Sequence, residues 1–309
     1  MTERRPFGDT GLEVSPLGFG GAPIGFLETE REQVGKLLNT LLDEGMNLID
    51  TAAMYRGSES MIGEAVAHRR DDYVLVTKCG TELDDIDAPA WSGELITKTV
   101  DRALTNLKTD VLDVMLLHSC GLDVLEKGEA MGALVKARDA GKIKFLGYSG
   151  DNETLRAAAQ MRDVRIVQTS VNICDQRNID LGVKAAREQS VGVMAKRPIA
   201  NAAWKKIDDQ PGMYQSYASE YTERFAQMGL GQSDLGGHLD ADADWAEIAL
   251  RFTVGVEGVS TAIIGTTNPD HAIANLHAAA KGPLPEDVQR KLRVAFQKAE
   301  PSGKWSGQT

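Results

Sequence analysis

Four side chains in the first 120 residues have the types and spacing that suit proton transfer to a carbonyl oxygen. Asp50 precedes Tyr55 by five residues, and Lys78 and His118 end two later apolar runs. A tyrosine with a pKa of about 10 is a weak acid at neutral pH, but a neighbouring ammonium lowers that pKa. A carboxylate keeps the ammonium charged, and a histidine orients the carbonyl. The set predicts a general acid facing a polarised C=O group, as hydride addition requires.

Taken singly, each of these residues has an ordinary structural interpretation. Asp50 is equally typical of a helix cap, and a lysine at a strand end, such as Lys78, is usually solvated. His118 fits a hydrogen-bonded core histidine, and Tyr55 fits an aromatic packed on a loop. It is their joint placement at and just after successive strand ends that favours a functional site.

The elements that must position these residues are short apolar runs alternating with helical stretches. Runs of this kind are typical of parallel strands buried on both faces. We predict eight of them: Leu17–Gly20, Asn47–Asp50, Val74–Lys78, Val114–His118, Phe145–Ser149, Ile166–Ser170, Gly192–Lys196 and Ala262–Gly265. Amphipathic helices are predicted over Glu30–Glu44, Ser92–Leu107 and Asp242–Phe252.

Eight such alternations favour a closed (β/α)8 TIM barrel over an open doubly wound sheet, although periodicity alone does not exclude the open sheet. No G-x-G-x-x-G motif follows a strand, which further disfavours the open dinucleotide-binding fold. Barrel enzymes carry their chemistry at the carboxyl ends of the strands, where these four residues or their loops lie. No linker divides the chain, so one domain over residues 1–309 is expected.

Two segments interrupt the repeat. Residues Arg5–Val14, with Asp9-Thr10-Gly11 at the turn, predict a β-hairpin before the first barrel strand. Residues from Asn201 to about Asp240 predict a long loop between strands seven and eight, and loops of this length are usually functional lids or mobile segments. Its aromatic residues suit either a substrate-pocket wall or a small satellite cluster: Trp204, Tyr214, Tyr217 and Tyr221.

Composition narrows the class of protein. Hydrophobic residues make up 42% and charged residues 26% of 309 positions, as in a globular protein. A net charge of -11 disfavours non-specific nucleic-acid binding. The N-terminal arginines are not followed by an apolar region, and no run approaches the roughly 18 residues of a membrane span. We therefore expect a cytoplasmic protein with a small-molecule partner; the sequence leaves its oligomeric state open.

Cysteine spacing argues against both a disulfide framework and a zinc site. The three cysteines, Cys79, Cys120 and Cys174, form no C-x-x-C motif. Cys120 lies two residues after His118, near the predicted site, and its expected role is packing. Of the five histidines, His118 alone ends a predicted strand, so a metal-dependent barrel hydrolase lacks a ligand cluster.

Several ordered motifs make the sequence similar to the aldo-keto reductases over nearly its whole length. The opening RRPFGDTGLEVSPLGFGG resembles that family's hairpin and first strand, and Asp50-Thr51-Ala52-Ala53-Met54-Tyr55 with Ser58-Glu59 resembles its D-T-A-x-x-Y-G-x-S-E signature. LVTKCG carries Lys78 and VMLLHS carries His118. GYSG, VQTSVN and IIGTTNPDHAIAN resemble later strand motifs.

The resemblance implies a nicotinamide cofactor, a carbonyl substrate and a role for each matching residue. Tyr55 is implied as the general acid, Asp50 and Lys78 as its tuning pair, and His118 as the group that orients the carbonyl. It places Ser149 and Gln168 at the nicotinamide carboxamide. It also implies cofactor contacts near the ribose, from Gly20, Gly21 and Asp50, and along the adenosine end, from Thr266, His271 and Asn275.

The sequence departs from the family pattern at four places. Arg56 replaces the glycine after the tyrosine, and Gly150 replaces the asparagine after Ser149. The seventh strand ends in Lys196-Arg197-Pro198-Ile199 instead of an aromatic followed by Ser-Pro-Leu, so basic side chains are expected to meet the cofactor pyrophosphate. Gly265 and His271 occupy positions where Lys and Arg are common. The expectation is therefore NADP(H) as the preferred cofactor with weak discrimination, and NAD(H) as a possible one.

Two classes of function fit this pattern. One is an enzyme that reduces an aldehyde or ketone, or runs the reverse reaction. The other is a cofactor-binding regulatory or scaffold subunit with little turnover. The presence of Asp50, Tyr55, Lys78 and His118 together favours the enzyme.

Overall fold

Short buried strands form the centre of the molecule in this computed structural model. It describes residues 3–27, 30–209, 212–236, 239 and 242–308, with the backbone alone for 209 and 212–217. The strands are β1 (Arg5–Pro6), β2 (Glu13–Val14), β3 (Leu17–Gly20), β4 (Leu48–Asp50), β5 (Val74–Cys79), β6 (Leu112–His118), β7 (Ile143–Ser149), β8 (Val164–Ser170), β9 (Gly192–Lys196) and β10 (Thr261–Ile264).

Strands β3 to β10 close into a barrel in the order β10-β3-β4-β5-β6-β7-β8-β9, and every neighbouring pair is parallel. The predicted (β/α)8 barrel is therefore confirmed, and the open sheet is wrong. All eight predicted strands are present, and their carboxyl ends agree within one residue. Since barrel geometry depends on where strands end at the rim, this agreement places the predicted site residues together.

Helices fill the connections between the barrel strands. They are α1 (Ala22–Phe26), α2 (Arg31–Asp43), α3 (Ser58–Val66), α4 (Gly93–Leu107), α5 (Leu122–Lys127), α6 (Glu129–Asp139), α7 (Asn152–Ala159), α8 (Lys184–Glu188), α9 (Gly212–Met228), α10 (Gln232–Leu235), α11 (Trp245–Val254), α12 (Pro269–Ala280) and α13 (Glu286–Ala299). Among the described residues, no helix is both long and apolar enough to cross a membrane.

Side-chain caps set two of the predicted helix starts. The Ser92 hydroxyl accepts a hydrogen bond from Leu95 N at 3.2 Å, so α4 begins where the sequence indicated. Helix α11 begins at Trp245, three residues later than predicted. Asp244 caps it by accepting from Glu247 N at 2.9 Å, and periodicity alone did not locate that cap.

The predicted hairpin is present and closes the amino-terminal end of the barrel. β1 and β2 pair antiparallel, with Arg5 opposite Val14. Phe7, in the hairpin turn, is fully buried among the side chains that fill the lower barrel. A Cβ on Gly192 would lie 2.7 Å from the Phe7 ring, so the first residue of β9 has to be small for this plug to fit.

The long connection between β9 and β10 contains a 17-residue helix, α9, where the sequence predicted a loop. Described side chains on its inner face recur at helical spacing: Ala218, Tyr221, Phe225 and Met228. The abundance of Gly, Ser and Gln around this stripe suggested irregular structure, but burial of one face is enough to stabilise a helix.

Candidate active site

The four predicted catalytic residues lie together at the carboxyl rim of the barrel. Asp50 ends β4, Lys78 is the penultimate residue of β5 and His118 ends β6. In the parallel register Asp50 pairs with Gly20 of β3, and His118 pairs with Ser149 of β7. Parallel pairing of adjacent strands thus brings residues that are up to 68 positions apart to one side of the rim.

Asp50 and Lys78 form a buried ion pair beneath the site. The Lys78 ammonium donates to Asp50 Oδ2 and to the Thr51 carbonyl, both at 2.8 Å, and both side chains are almost fully buried. Burial opposes the charge of Lys78, but the Asp50 carboxylate and Tyr55 outweigh it and raise the pKa of Lys78. Burial also raises the pKa of Asp50, and the ammonium limits that rise. Asp50 is therefore a counter-ion, not a helix cap.

Tyr55 stands above this pair in a tight turn between β4 and α3. Its backbone N–H donates to the Ala52 carbonyl and its carbonyl accepts from Ser58, each at 3.0 Å. Gly57 supports the turn with φ 69°, a conformation that glycine adopts without strain. The backbone of α1 presses against Tyr55 at Gly25, where a Cβ would lie 2.8 Å from the tyrosine carbonyl carbon. Two glycines thus fix where the phenol points.

The Tyr55 ring has a cation on one side and two aromatic rings around it. Lys78 Nζ lies 5.2 Å from its centroid, within range of a cation–π contact. The His118 and Phe26 rings meet it edge-on, with centroids at 5.9 and 5.4 Å. The phenol is therefore placed between an ammonium, an imidazole and an apolar wall.

His118 is held in its neutral form. Burial, followed by the positive charges of Lys78 and Lys196, lowers the pKa of His118 well below its ordinary value. A neutral imidazole has one N–H donor and one acceptor nitrogen, so it can donate one hydrogen bond to a carbonyl oxygen without being a strong acid. A neutral His118 therefore leaves the predicted role of general acid with Tyr55.

A chain of hydrogen bonds extends from Asp50 to the neighbouring strands. Gln168 Nε2 donates to Asp50 Oδ1 at 2.9 Å, and the Ser149 hydroxyl donates to Gln168 Oε1 at 3.1 Å. All three side chains are buried at the rim. These amide and hydroxyl groups are the donors and acceptors that a carboxamide needs, so the residues present fit the nicotinamide end of the implied cofactor.

Close packing against Tyr148 requires a glycine at position 150. A Cβ there would lie 2.3 Å from the hydroxyl of Tyr148, which itself donates to the Cys120 carbonyl at 2.8 Å. The Tyr148 ring therefore occupies the space that an asparagine side chain at position 150 would need.

Lys196 is the last residue of β9 and Arg197 follows it. Both side chains have polar partners within the chain. Lys196 Nζ forms an ion pair with Asp151 Oδ2 at 2.8 Å, and Arg197 Nη1 donates to the Ser170 hydroxyl at 3.0 Å. Burial lowers the pKa of Lys196, while Asp151 opposes that effect. Asp151 was missed in the sequence, although its position two residues after a strand end was a usable signal.

The predicted adenosine end lies at the start of α12. Asn268 caps this helix by accepting from Asp270 N and His271 N at 2.8 and 3.3 Å. A Cβ on Gly265 would lie 2.6 Å from Pro23 and 2.7 Å from the Gly20 carbonyl, so a larger residue does not fit there. His271 is exposed, and Thr266 and Asn275 are partly buried.

One cavity of about 460 Å³ connects these groups. It is lined by most of the predicted residues, namely Gly20, Asp50, Tyr55, His118, Ser149, Gln168, Lys196, Arg197, Pro198 and Gly265. Lys78 lies beneath it. Four further predicted residues are also not among those lining the cavity: Gly21, Thr266, His271 and Asn275. Gly21 instead donates its N–H to the Asp50 carbonyl at 2.7 Å.

The wall beside Tyr55 is apolar and was not predicted. Phe26 and Met54 line the cavity and are 38% and 40% exposed, although both are large hydrophobic side chains. Leu27, just after α1, and Leu122, the first residue of α5, are exposed to a similar degree. Among the described residues, the one other exposed large hydrophobic side chain is Val294 on α13, so most of these side chains lie on the connections that follow β3, β4 and β6.

The predicted aromatic residues of the insertion differ in their surroundings. Trp204 packs with Phe225 and Trp245, with ring centroids 6.4 Å away in each case, and does not line the cavity. Tyr221 is fully buried and donates to Asp175 Oδ2 at 2.9 Å. The satellite-cluster interpretation therefore holds for Trp204, and the side chains of Tyr214 and Tyr217 lie outside the described residues.

The three cysteines are buried free thiols, as their spacing predicted. Burial raises the pKa of Cys120 to about 12. A thiol that stays protonated is a poor nucleophile, which agrees with a packing role for Cys120.

A parallel barrel with a buried Asp–Lys pair, a tyrosine and a neutral histidine at its carboxyl rim defines the class of barrel oxidoreductases. Residues 16–295 match the model of the "Aldo/keto reductase family". The chain belongs to this family, whose members reduce carbonyl groups with a nicotinamide cofactor.

Known proteins agree with this assignment. An aldo-keto reductase from Bacillus halodurans, in its holo form, has the same fold, with a TM-score of 0.80 and 23% identity over 96% of both chains. An aryl-alcohol dehydrogenase of Pestalotiopsis microspora is 33% identical over 90% of this chain and 78% of its own length. An NADP(+) aldo-keto reductase of Schizosaccharomyces pombe is 30% identical over 67% of this chain and 66% of its own length.

Proposed function

We propose that the protein is an NAD(P)H-dependent reductase of an aldehyde or ketone in which Tyr55 is the general acid. The observation that carries this proposal is the placement of the Tyr55 ring at the cavity, 5.2 Å from the Lys78 ammonium and edge-on to His118. A positioned acid of this kind contributes roughly 10²–10⁴-fold to the rate.

In this mechanism a reduced nicotinamide, held at its carboxamide by Ser149 and Gln168, would supply the hydride for the carbonyl carbon. The Tyr55 hydroxyl donates its proton to the carbonyl oxygen, which becomes the alcohol. Lys78 stabilises the negative charge that develops on the phenolate oxygen, and Asp50 keeps that ammonium charged and in place. Neutral His118 donates a hydrogen bond that orients the carbonyl oxygen.

The cofactor is proposed to extend along the rest of the cavity. Ser149 and Gln168 hold the carboxamide, Gly20, Gly21 and Asp50 lie near the ribose, and Lys196, Arg197 and Pro198 contact the pyrophosphate. Gly265, Thr266, His271 and Asn275 line the adenosine end. The cavity lining supports this proposal in part, because it includes Gly20, Asp50, Ser149, Gln168, Lys196, Arg197, Pro198 and Gly265.

We further propose that NADP(H) is preferred with weak discrimination, and that NAD(H) is also used. The NADP(+) relative favours the phosphorylated cofactor. The 2′-phosphate, however, is best held by Arg or Lys, and the closed space at Gly265 leaves no room for either. Two backbone donors at the start of α12 already serve Asn268. The groups that remain available to bind the 2′-phosphate are the hydroxyls of Thr266 and Thr267 and the exposed His271.

The cofactor proposal predicts that kcat/KM is higher with NADPH than with NADH, and that His271→Ala lowers the ratio of the two values. The exposed imidazole can donate a hydrogen bond to the 2′-phosphate, and alanine removes that donor. Steady-state kinetics of the unmodified protein and the variant with both cofactors measure the ratio. A clear NADH preference of the unmodified protein would overturn the cofactor assignment and leave the reductase assignment standing.

The carbonyl side of the cavity favours apolar substrates. Phe26 and Met54 offer contact area to an aryl or alkyl group, and burying that surface stabilises the complex by about 25 cal/mol per Å². The test is a panel of aryl, alkyl and polyhydroxylated carbonyls and alcohols, assayed with both reduced and oxidised cofactors. Tight cofactor binding without turnover of any of them would instead favour a regulatory or scaffold subunit.

A further inference from the structure

The last described residues cross the carboxyl rim behind the cofactor half of the cavity. We name Trp305–Gln308 the C-terminal strap. Gly307 exchanges hydrogen bonds with Asn152, the first residue of α7 in the connection after β7, at 2.8 and 3.3 Å. Gln308 N donates to Asp175 Oδ2 on the loop after β8, at 3.1 Å. The strap therefore joins loops from two adjacent barrel strands.

A third attachment is to the insertion helix α9. The buried Arg224 of that helix donates to the Ser306 carbonyl at 2.9 Å, and its guanidinium lies 5.3 Å from the Trp305 ring centroid. Trp305 also packs edge-on against Phe296 of α13. Contacts of Trp305 and Ser306 fix one end of the strap, and contacts of Gln308 fix the other. Gly307, between them, is buried.

Gly307 is pressed against the carboxylate that holds Lys196. A Cβ on Gly307 would lie 2.8 Å from Asp151 Cβ, 2.9 Å from Asp151 Oδ1 and 2.4 Å from Asn178 Nδ2. Asp151 is held on its other sides by Ser170 N, the Thr169 hydroxyl and Asn178. The backbone of the strap packs against the remaining side of the Asp151 carboxylate.

The next residue of the strap holds the adjacent cation. The Gln308 carbonyl accepts from the Arg197 guanidinium and, at 2.8 Å, from the Ser170 hydroxyl. Arg197 has φ 57°, a left-handed conformation that is strained for a non-glycine residue and persists only where surrounding contacts impose it. Two adjacent positive charges also repel each other, and Arg197 contributes to lowering the pKa of Lys196.

We propose that the C-terminal strap is a positioning element of the cofactor site, which fixes Lys196 through Asp151 and Arg197 through the Gln308 carbonyl. Gly307 and Gln308 are positioning residues because they act through those two cations and do not line the cavity. The inference rests on the proposed function in one respect, namely that Lys196 and Arg197 face the cofactor. Preorganised cations bind an anionic group with less loss of side-chain freedom, so the strap strengthens cofactor binding.

The test is Gly307→Ala, which adds one methyl group against Asp151, with a second variant that ends at Ser306 and adds no atoms. We expect the Kd for NADPH or NADH, measured by fluorescence, to rise about tenfold in both. Turnover at saturating cofactor should stay within about twofold, because Tyr55 and its partners are not touched. Lys304→Ala, an exposed change just before the strap, should leave the Kd and kcat unchanged.

A double-mutant cycle identifies the route of the effect. In a Lys196→Met background, Gly307→Ala should change the Kd by less than about twofold, because the side chain through which it acts is gone. An equal rise in both backgrounds would overturn the proposal. So would an unchanged Kd in the folded variants, a fall in kcat with unchanged Kd, or failure of both variants to fold.

These outcomes are distinct from failure of the proposed function. If the unmodified protein binds cofactor without turning over a carbonyl, the Kd comparison still tests the strap. If the unmodified protein binds neither NADPH nor NADH, the proposed function and the strap's role in it both fail. If the unmodified protein reduces a carbonyl and the strap variants keep its cofactor Kd, the proposed role of the strap is rejected and the proposed function stands.

Discussion

At the scale of single residues, Lys78 connects the charged groups of the site. Its ammonium contacts Asp50 and the Thr51 carbonyl, lies under the Tyr55 ring, and contributes to keeping His118 neutral. A buried charge is tolerated only when such partners compensate its desolvation. The partners that stabilise the Lys78 charge therefore also maintain the charge that contributes to lowering the pKa of His118.

Tyr55→Phe should lower turnover by roughly 10²–10⁴-fold while retaining the fold and cofactor binding, because it removes the proton donor alone. Steady-state kcat and cofactor Kd measure the two parts separately. Tyr148→Phe is the matched control, since that hydroxyl bonds the Cys120 carbonyl away from the cavity lining. Near-normal activity of the purified Tyr55→Phe protein would remove the phenol from the mechanism.

Lys78→Met should abolish activity and lower the free energy of unfolding by about 3–5 kcal/mol, because Asp50 is left buried without its counter-ion. Urea denaturation and the pH–rate profile provide the measurements. Lys98→Met, which breaks an exposed pair on α4, should change stability by less than about 1 kcal/mol. Retained activity with an unshifted pH–rate profile would contradict the role of the ammonium.

At the scale of elements, the insertion between β9 and β10 has two distinct parts. The described second half of α9 is tied to the barrel by Tyr221 and Arg224. The turn before it contributes Asn201 and Ala202 to the cavity lining, and both adopt left-handed backbone conformations. Closure over a ligand is therefore expected in the first part of the insertion and not in the second half of α9.

We predict that cofactor slows tryptic cleavage after Lys205 and Lys206 by at least about threefold, because these exposed residues follow the cavity-lining turn. Peptide mapping by mass spectrometry resolves each site. Cleavage after the exposed Lys127, on the other side of the rim, serves as the control and should keep its rate. Equal cleavage after Lys205 and Lys206 with and without cofactor would count against a lid.

At the scale of the whole molecule, Asp175 joins the barrel, the insertion and the C-terminal strap. Its Oδ2 accepts from the Tyr221 hydroxyl of α9 and from Gln308 N of the strap. Its Oδ1 is buried and has no hydrogen-bond partner among the described residues. Burial, followed by the charge of Asp151, raises the pKa of Asp175 to about 7. One carboxyl group therefore couples the packing of three segments to pH.

The stability of the folded protein should depend on this carboxyl between about pH 4 and pH 7. Because its folded pKa is raised, the stabilising contribution of the protonated form is complete below the ordinary value of 3.8 and is lost as the pH rises through about 7. At about 1.4 kcal/mol per pKa unit, the loss has an upper limit of about 4 kcal/mol.

Asp175→Asn removes the titration and keeps a side chain of the same size. We expect the free energy of unfolding of the unmodified protein to fall relative to this variant between about pH 5 and pH 8. Urea denaturation at both pH values measures the difference. A difference that does not change with pH would show that the buried carboxyl titrates in its ordinary range.

Local sequence patterns determined the barrel and the candidate catalytic set. Strand-length apolar runs and their ends predicted all eight strands, because a strand buried on both faces must be apolar along its length. Asp50, Tyr55, Lys78 and His118 followed, since parallel strands bring their carboxyl ends to one rim. These features depend on residues close together in the chain, where periodicity and end signals operate.

Tertiary contacts decided the rest. Nothing near Gly307 in the sequence indicates that it abuts Asp151, and nothing near Gly265 indicates that Pro23 closes the space for a side chain. The apolar wall from Phe26 and the partnering of Lys196 also depend on which loops face each other. The sequence by itself therefore determined the fold and the candidate proton-transfer set. Only the tertiary structure decided how the proposed cofactor half is held, because its contacts join segments as far apart as Gly20 and Gly265, whose meeting depends on the closure of the whole barrel.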